Sequence, residues 1–257
     1  MGARSAVFLM YHEIQLPDRP LCRSEAGYVR YVISREEFRS QIGAIRELAL
    51  AGLSVTEALE FSRPGVAITV DDGCETDLLA VGPALAEFGF GATFYATAGL
   101  LGNKGFLSAA QARELSDLGF EIGSHSLTHR YLTDLADTDL RRELEQSKAM
   151  LEQIVGKPVP HFSCPGGRLN SRVAQAAAKA GYRTLAHSTP HANSPSTDPL
   201  SLGRVAIRRD LALDSFRKLC CGRDLWKLRA GSRIRDTAKR VLGNRNYERL
   251  RGSLLPN

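Results

Sequence analysis

Val66-Ala67-Ile68-Thr69-Val70-Asp71-Asp72-Gly73 is the stretch on which the fold turns. Its first five residues are uncharged and mostly β-branched, without the polar alternation of a half-exposed strand. Such a run reads as a strand covered on both faces, which is the habit of parallel sheets flanked by helices. It ends abruptly in two acids and a glycine able to make a tight turn. Adjacent carboxylates at the end of a buried strand repel each other unless a cation or a shared proton accompanies them. The plainer reading is a helix N-cap with a spare acid beside it.

Working outward, strand-like and helix-like segments alternate. Strands are expected at Val7–Tyr11, Ala92–Ala96, Phe120–Gly123, His161–Ser163, Arg183–Ala186 and Arg204–Ile207. Between them, Ser34-Arg35-Glu36-Glu37 is a capping box that opens a helix with Phe38, Ile42, Ile45 and Leu48 on one face. Further helices are expected over Asp77–Phe88, from about Ser108, over Asp137–Val155 and over Ser171–Ala180, with helix-like stretches at Ser215–Cys221 and Ile234–Leu242. Regular β-α alternation predicts a parallel sheet, closed as a barrel or doubly wound. In both, ligands gather at the C-terminal ends of the strands. Polar residues just past those ends should therefore form one site.

Three strand ends carry such residues. Asp71 and Asp72 follow Val66–Val70. His125 and His129 follow Phe120–Gly123, and a spacing of four places them on one face if the segment turns helically. Two imidazoles and one carboxylate make a three-ligand metal set that leaves a coordination position open for water, and the second carboxylate is then free to act as general base. Pro165-Gly166-Gly167 follows a further strand. Glycines there let backbone approach a ligand and present N–H groups to a developing oxyanion, or they simply build a loop.

These segments resemble the motifs of the polysaccharide deacetylases, the NodB-homology or carbohydrate esterase 4 family. Thr69-Val70-Asp71-Asp72-Gly73 is similar to T-F-D-D-G, His125-Ser126-Leu127-Thr128-His129 to H-S/T-x-x-H, Phe162–Gly167 to F-R-x-P-Y-G, and Met10-Tyr11-His12 to an M-Y-H of the first strand. The resemblance runs from residue 7 to about 208 in the right order. It implies an α/β fold, a distorted (β/α)7 barrel, with one divalent metal, most often Zn2+. It implies Asp71 as general base, Asp72, His125 and His129 as ligands, and the Gly166 N–H at the oxyanion, with Pro165 and Gly167 shaping the same loop. The reaction implied is hydrolysis of an N-acetyl group from an amino sugar in a polysaccharide, oligosaccharide or lipid-linked glycan. Alternatives are hydrolysis of a small cyclic or linear amide, as in allantoinase-like or imidase-like barrels, and a catalytically inactive glycan-binding barrel.

Two departures bear on that implication. Ser163 stands where the family has the arginine that orients the catalytic aspartate, and Gly166 where it has tyrosine; Arg168 and Arg204 are both open as substitutes. The late L-x-H motif is missing, since Leu185-Ala186-His187 lies too close to the preceding motif. The general acid is thus open among His187, His191, His12 and Asp71 itself.

Composition adds the setting. The 257 residues carry a net charge of +6, and from Arg204 onward fifteen Lys/Arg face five Asp/Glu. The division expected is a catalytic barrel over 1–210 and a basic helical extension over 211–257. A basic amphipathic stretch such as 223–257 can lie on an anionic membrane surface; no nucleic-acid partner is expected. Five cysteines, an odd number with Cys220 and Cys221 adjacent, make a poor disulfide framework and read as thiols. With no apolar run of transmembrane length and no leader-like start, the expected location is cytoplasmic, peripheral to the inner membrane face if the basic segment binds there.

Overall fold

The structure, a computed structural model, describes residues 5–17, 19–60 and 62–231. The apolar stretch Val66–Val70 is the central part of a strand. We label the main strands β1 (Ala6–Tyr11), β2 (Gly65–Asp72), β3 (Thr93–Ala96), β4 (Glu121–Ser124), β5 (His161–Ser163) and β6 (Thr184–His187), which pair in parallel in that order. The ring then closes through one short segment. β7 (Leu202–Gly203) pairs with β6, β8 (Val205–Ala206) pairs with β1, and Arg204 sits at the bend between them. The expected strand Arg204–Ile207 is thus reduced to Val205–Ala206, and a second half-strand just before it, Leu202–Gly203, serves the opposite neighbour. Counting the bent segment once, the barrel has seven parallel staves, and the single register pair between β4 and β5 makes it irregular.

Asn193 braces the closure. It lies on a two-residue strand antiparallel to β1, and its amide accepts from the Gly203 N–H and donates to the Gly203 carbonyl, both at 2.9 Å. Two buried backbone groups at the bend are thereby satisfied.

Helices fill the crossovers: α1 (Arg35–Glu47), α2 (Gly82–Phe88), α3 (Ala109–Asp117), α4 (Asp137–Val155), α5 (Ser171–Lys179) and α6 (Leu213–Cys220). The capping box at Ser34 is formed, with the Glu37 N–H donating to Ser34 Oγ at 3.0 Å and the Ser34 N–H to Glu37 Oε2 at 2.8 Å. α2 is preceded by a wider turn over Asp77–Val81, where the Gly82 N–H reaches back to the Asp77 carbonyl. α6 buries Phe216, Leu219 and Cys220 in the main core, and Arg217 bonds Glu47 on α1 at 2.6 Å, so this first part of the basic region packs with the barrel's helices. The expected helix Ile234–Leu242 lies outside the described residues. Among those described, no helix is long and apolar enough to cross a membrane.

Strand alternation divides the core in two. Val7, Leu9, Val66, Ile68 and Val70 face the helices. Phe8, Ala67, Tyr95, Ala186 and Leu202 fill the smaller interior of the barrel. Asp71 has the parity of Ala67 and Thr69, so the pleat turns it inward, above that plug.

Candidate active site

In-register strands bring their ends together. Asp72 pairs with Ala96, Ala96 with Ser124, and Ser163 with Ala186, so the segments following these residues meet at one end of the barrel. A cavity of about 410 Å³ opens there, with Asp71, Asp72, His125 and His129 in its wall alongside His12 and Gly166.

Asp72 would point toward the helices by alternation, but its φ of +84° breaks the strand geometry and both carboxylates reach the cavity. A non-glycine residue in that region is strained and persists only where its surroundings demand it. The His125–His129 segment is likewise no helix. Ser126 (φ +71°) and His129 (φ +60°) adopt left-handed backbone, and a tight turn, closed by the His129 N–H on Ser126 Oγ at 3.0 Å, brings the two rings to 4.9 Å between centroids. The expected shared face is achieved by a loop instead.

One ligand atom each from Asp72, His125 and His129 lies within 4.8 Å of the others. Asp72 Oδ1 is 3.2 Å from His129 Nε2 and 3.5 Å from His125 Nε2, and it is buried without a hydrogen bond of acceptable geometry. His125 Nδ1 lies 2.8 Å from the Ser163 carbonyl, so that nitrogen donates and Nε2 turns a lone pair toward Asp72. Burial alone would raise the Asp72 carboxyl, but the neighbouring imidazoles hold it well below the ordinary carboxylate range. Burial pushes His125 down to about 4, so it is neutral near pH 7. An ionised carboxylate and a neutral imidazole turned inward are the states a divalent cation requires, and the residues fit that group.

Asp71 is held differently. Arg204, fully buried, donates through Nη1 to Asp71 Oδ1 at 2.7 Å and through Nη2 to Oδ2 at 2.8 Å. Ser163 Oγ also donates to Oδ2 at 3.0 Å while accepting from Arg204 at 2.7 Å. Burial opposes ionisation of Asp71, but the Arg204 guanidinium together with His125 and His12 holds the carboxyl below its usual range. Of the two arginines left open by sequence, Arg204 is the one on Asp71, and Ser163, the residue in place of the family's arginine, joins the same network. Arg168 instead stacks on the Tyr131 ring, 3.5 Å from its centroid.

The glycine loop is shaped by close approach. Gly166 and Gly167 have φ of +63° and +66°, and a Cβ on Gly167 would lie 2.0 Å from Ser188 Oγ. The Gly167 N–H is spent on the Cys164 carbonyl at 2.8 Å, which leaves the Gly166 N–H as the loop's candidate oxyanion donor. Pro165 is buried and starts the turn.

Of the candidate acids, His12 lines the cavity, stacks on Tyr31 with 4.9 Å between centroids, and is lowered from its ordinary value by burial. His187 stands apart: its Nδ1 accepts from the Thr189 N–H at 3.0 Å and its Nε2 is 3.2 Å from Ser201 Oγ. His191 packs against His187, not in the cavity wall.

Sequence reading missed Glu143. Buried on α4, it accepts from the N–H groups of Leu127 and Thr128 at 2.9 and 2.8 Å and from the Thr128 hydroxyl, fixing the loop between the histidines. Its signal was a carboxylate on the apolar stripe of Leu140, Leu144 and Leu151. A second cluster was also missed: Cys22 Sγ lies 2.7 Å from Cys74 Sγ, with Tyr28 and Glu13 against the pair.

Comparisons with known proteins agree with this architecture. Residues 59–185 match the family described as polysaccharide deacetylase. The chain is 28% identical over 166 residues to YxkH of Bacillus subtilis, a protein with a provisional polysaccharide deacetylase name, covering 65% of this chain and 60% of that protein. It is 32% identical over 121 residues to a peptidoglycan-N-acetylglucosamine deacetylase of Bacillus cereus, covering 47% of this chain and 54% of that protein. The chain thus matches less than two thirds of the length of these relatives. Among solved structures, the Streptococcus pyogenes deacetylase PplD superposes with a TM-score of 0.74 at 21% identity, over 84% of this chain and 98% of that one. A Bacillus cereus polysaccharide deacetylase superposes with 0.71 at 24% identity, over 83% and 68%. At such identities the likeness is one of fold.

Proposed function

This chain belongs to the polysaccharide deacetylase family, and on that premise we propose that it hydrolyses the acetamide of an N-acetylated amino sugar in a polysaccharide, oligosaccharide or lipid-linked glycan, releasing acetate and a free amine. The observation that carries this is Asp71, held from behind by the buried Arg204, standing beside the Asp72, His125 and His129 triad in one cavity wall. An oriented, ionised carboxylate next to a ligand set is an arrangement for water-driven hydrolysis. A carboxylate aimed at a ligand set is what hydrolysis needs and what an inactive glycan-binding barrel does not.

Asp72, His125 and His129 would hold one divalent ion, for which we propose Zn2+. When bound it would supply Lewis-acid polarisation and a water of lowered pKa. The chain's own groups do the rest. Asp71 takes the proton of the attacking water, at a carboxylate that Arg204 keeps charged and oriented. Gly166 presents its N–H to the oxyanion that develops on the acetyl carbonyl. The leaving nitrogen needs a proton, which either Asp71 returns or His12 delivers from within the same cavity.

The test is acetate release from N-acetylated oligosaccharides and glycan lipids by wild type and Asp71→Asn, with bound metal measured in both. Loss of a general base is expected to lower the rate roughly 10²–10⁴-fold while metal content stays the same. Equal rates would remove Asp71 from the reaction, and no release from any N-acetylated glycan by metal-loaded wild type would remove the deacetylase reading.

A further inference from the structure

Cys22 and Cys74 lie 52 residues apart in the chain, yet their Sγ atoms stand 2.7 Å from each other. Cys74 is fully buried, Cys22 is half-buried, and both are thiols in the structure. They flank the cavity. Arg23, next to Cys22, stands in its wall, and so does Asp72, two residues before Cys74. The proposed hydrolysis uses neither sulfur.

Their approach is built from several sides. Glu13, buried just past β1, accepts the Cys22 N–H on both oxygens, at 3.0 and 3.1 Å, and the Tyr28 hydroxyl on Oε2 at 3.1 Å. The Tyr28 oxygen then lies 3.0 Å from Cys22 Sγ and 3.3 Å from Cys74 Sγ, so one phenol gathers both sulfurs. Gly105 seats both segments. A Cβ there would come within 3.0 Å of Cys22 Cα, and the Gly105 carbonyl accepts from the Glu75 N–H at 2.8 Å. Glu13, Cys22 and Cys74 are also grouped closely enough to hold a metal ion. That use fits poorly: two thiolates on a tetrahedral ion, each at about 2.3 Å, sit about 3.8 Å apart, and Glu13 is already spent on Cys22 and Tyr28. A shift of about 0.7 Å instead brings the sulfurs to the bonded distance of about 2.05 Å.

We propose that Cys22 and Cys74 are a redox-modification site, closing into a reversible disulfide that ties the Arg23 side of the cavity wall to the end of β2. The co-reactant is a low-molecular-weight disulfide such as oxidised glutathione. Cys22, the more accessible sulfur, attacks it as thiolate; the small S–S bond breaks and one thiolate leaves. Cys74 Sγ then attacks Cys22 Sγ in that mixed disulfide and displaces the second. The protein pair loses two electrons and two protons, and the small disulfide is reduced to two thiols. The bond acts on the site. Asp72 and Gly73, with φ of +84° and +79°, form a strained turn immediately before Cys74. Arg23, beside Cys22, reaches His129 Nδ1 at 3.2 Å and Asp72 Oδ1 at 3.9 Å. The ion pair of Arg19 with Glu75 joins the same two segments at the surface, where such pairs contribute little. A covalent bond fixes Arg23 against the strand end whose carboxylate it faces.

The test incubates the full chain, reduced beforehand, with excess oxidised glutathione at about pH 8 and reads intact mass, free thiols and proteolytic peptides. Expected are the loss of two hydrogens with no added mass, two fewer titratable thiols and a linked Cys22–Cys74 peptide. The melting temperature should rise by roughly 5–10 °C over the reduced protein, and amide hydrogen exchange in residues 19–25 should slow at least about ten-fold. Dithiothreitol should reverse both. Cys22→Ser keeps a hydrogen-bonding group against Tyr28 and should exchange like reduced wild type with or without oxidant. A stable glutathione adduct on Cys22 beside a free Cys74 overturns the inference, as do two thiols that stay free. Thiols that oxidise only after a chelator strips a metal from them overturn it in favour of a metal clamp with Glu13. A disulfide that forms but leaves exchange in 19–25 unchanged overturns its hold on the cavity wall.

Discussion

Arg204 and Asp71, separated by 133 residues in the chain, form a two-pronged buried ion pair with N–O distances of 2.7 and 2.8 Å. The arginine sits at the bend where the barrel closes, and the aspartate at the end of the strand that heads the site. Closing the barrel and orienting the proposed base are one event.

Arg204→Gln leaves a buried carboxylate without its counter-charge. The expected cost is about 3–5 kcal/mol, seen as a lower urea midpoint, together with loss of acetate release. Arg204→Lys restores the charge but not the fork, so stability should recover further than activity does. A Gln variant as stable and active as wild type would show that the pair matters to neither.

Glu143 touches none of the metal-set atoms but fixes the turn that carries His125 and His129. Glu143→Ala is expected to weaken Zn2+ binding by roughly 10–100-fold, as loss of a supporting hydrogen bond typically does. Competition with a chelating dye measures this, and an unchanged Kd would mean the loop holds its shape unaided.

The metal-free protein should lose stability toward acid. Burial pushes His125 and His187 each to about 4, against an ordinary value near 6.5. Between those values the unfolded chain binds protons that the folded one refuses, so stability rises with pH across that window. Their contribution is complete above about pH 6.5 and is lost as pH falls through about 4. Urea denaturation in the presence of a chelator should trace this slope, and His125→Asn should flatten it; identical slopes would show that His125 is not buried neutral.

Gly167→Ala places a Cβ 2.0 Å from Ser188 Oγ at a φ of +66°, and Gly166→Ala places one 2.6 Å from the Tyr131 ring. Left-handed backbone alone costs an L-residue about 1–2 kcal/mol, and the Gly167 contact includes the Ser188 backbone nitrogen, which cannot swing away. Both variants should depress kcat while Zn2+ affinity stays at the wild-type level. A parallel fall in metal affinity would tie the loop to the metal set and not to the oxyanion.

Asn193→Ala removes both side-chain bonds that satisfy Gly203. Each buried group left unpaired costs about 1–3 kcal/mol. The barrel seam should open first there, measurable as faster amide hydrogen exchange in β7 and β8 than in β3.

Much of this molecule was legible in its sequence, because the signals are local. The apolar run at Val66–Val70 marked a strand covered on both faces, Ser34 and Glu37 marked a helix start, and acids and histidines just past strand ends marked the site. Each depends on neighbours a few residues away. The partner of Asp71 was different. Arg168 and Arg204 had equal claims by letter, and only the return of residues 202–206 against β1 puts one of them beside the carboxylate. The route by which His125 meets His129 also escaped local reading, since its left-handed turns at Ser126 and His129 are sustained by Glu143 from a helix that begins at Asp137. Sequence pointed to candidate groups just past the strand ends, because period and punctuation are written along the chain. Tertiary structure decided which of them touch, because charge pairing and barrel closure join residues that only a completed ring brings within reach.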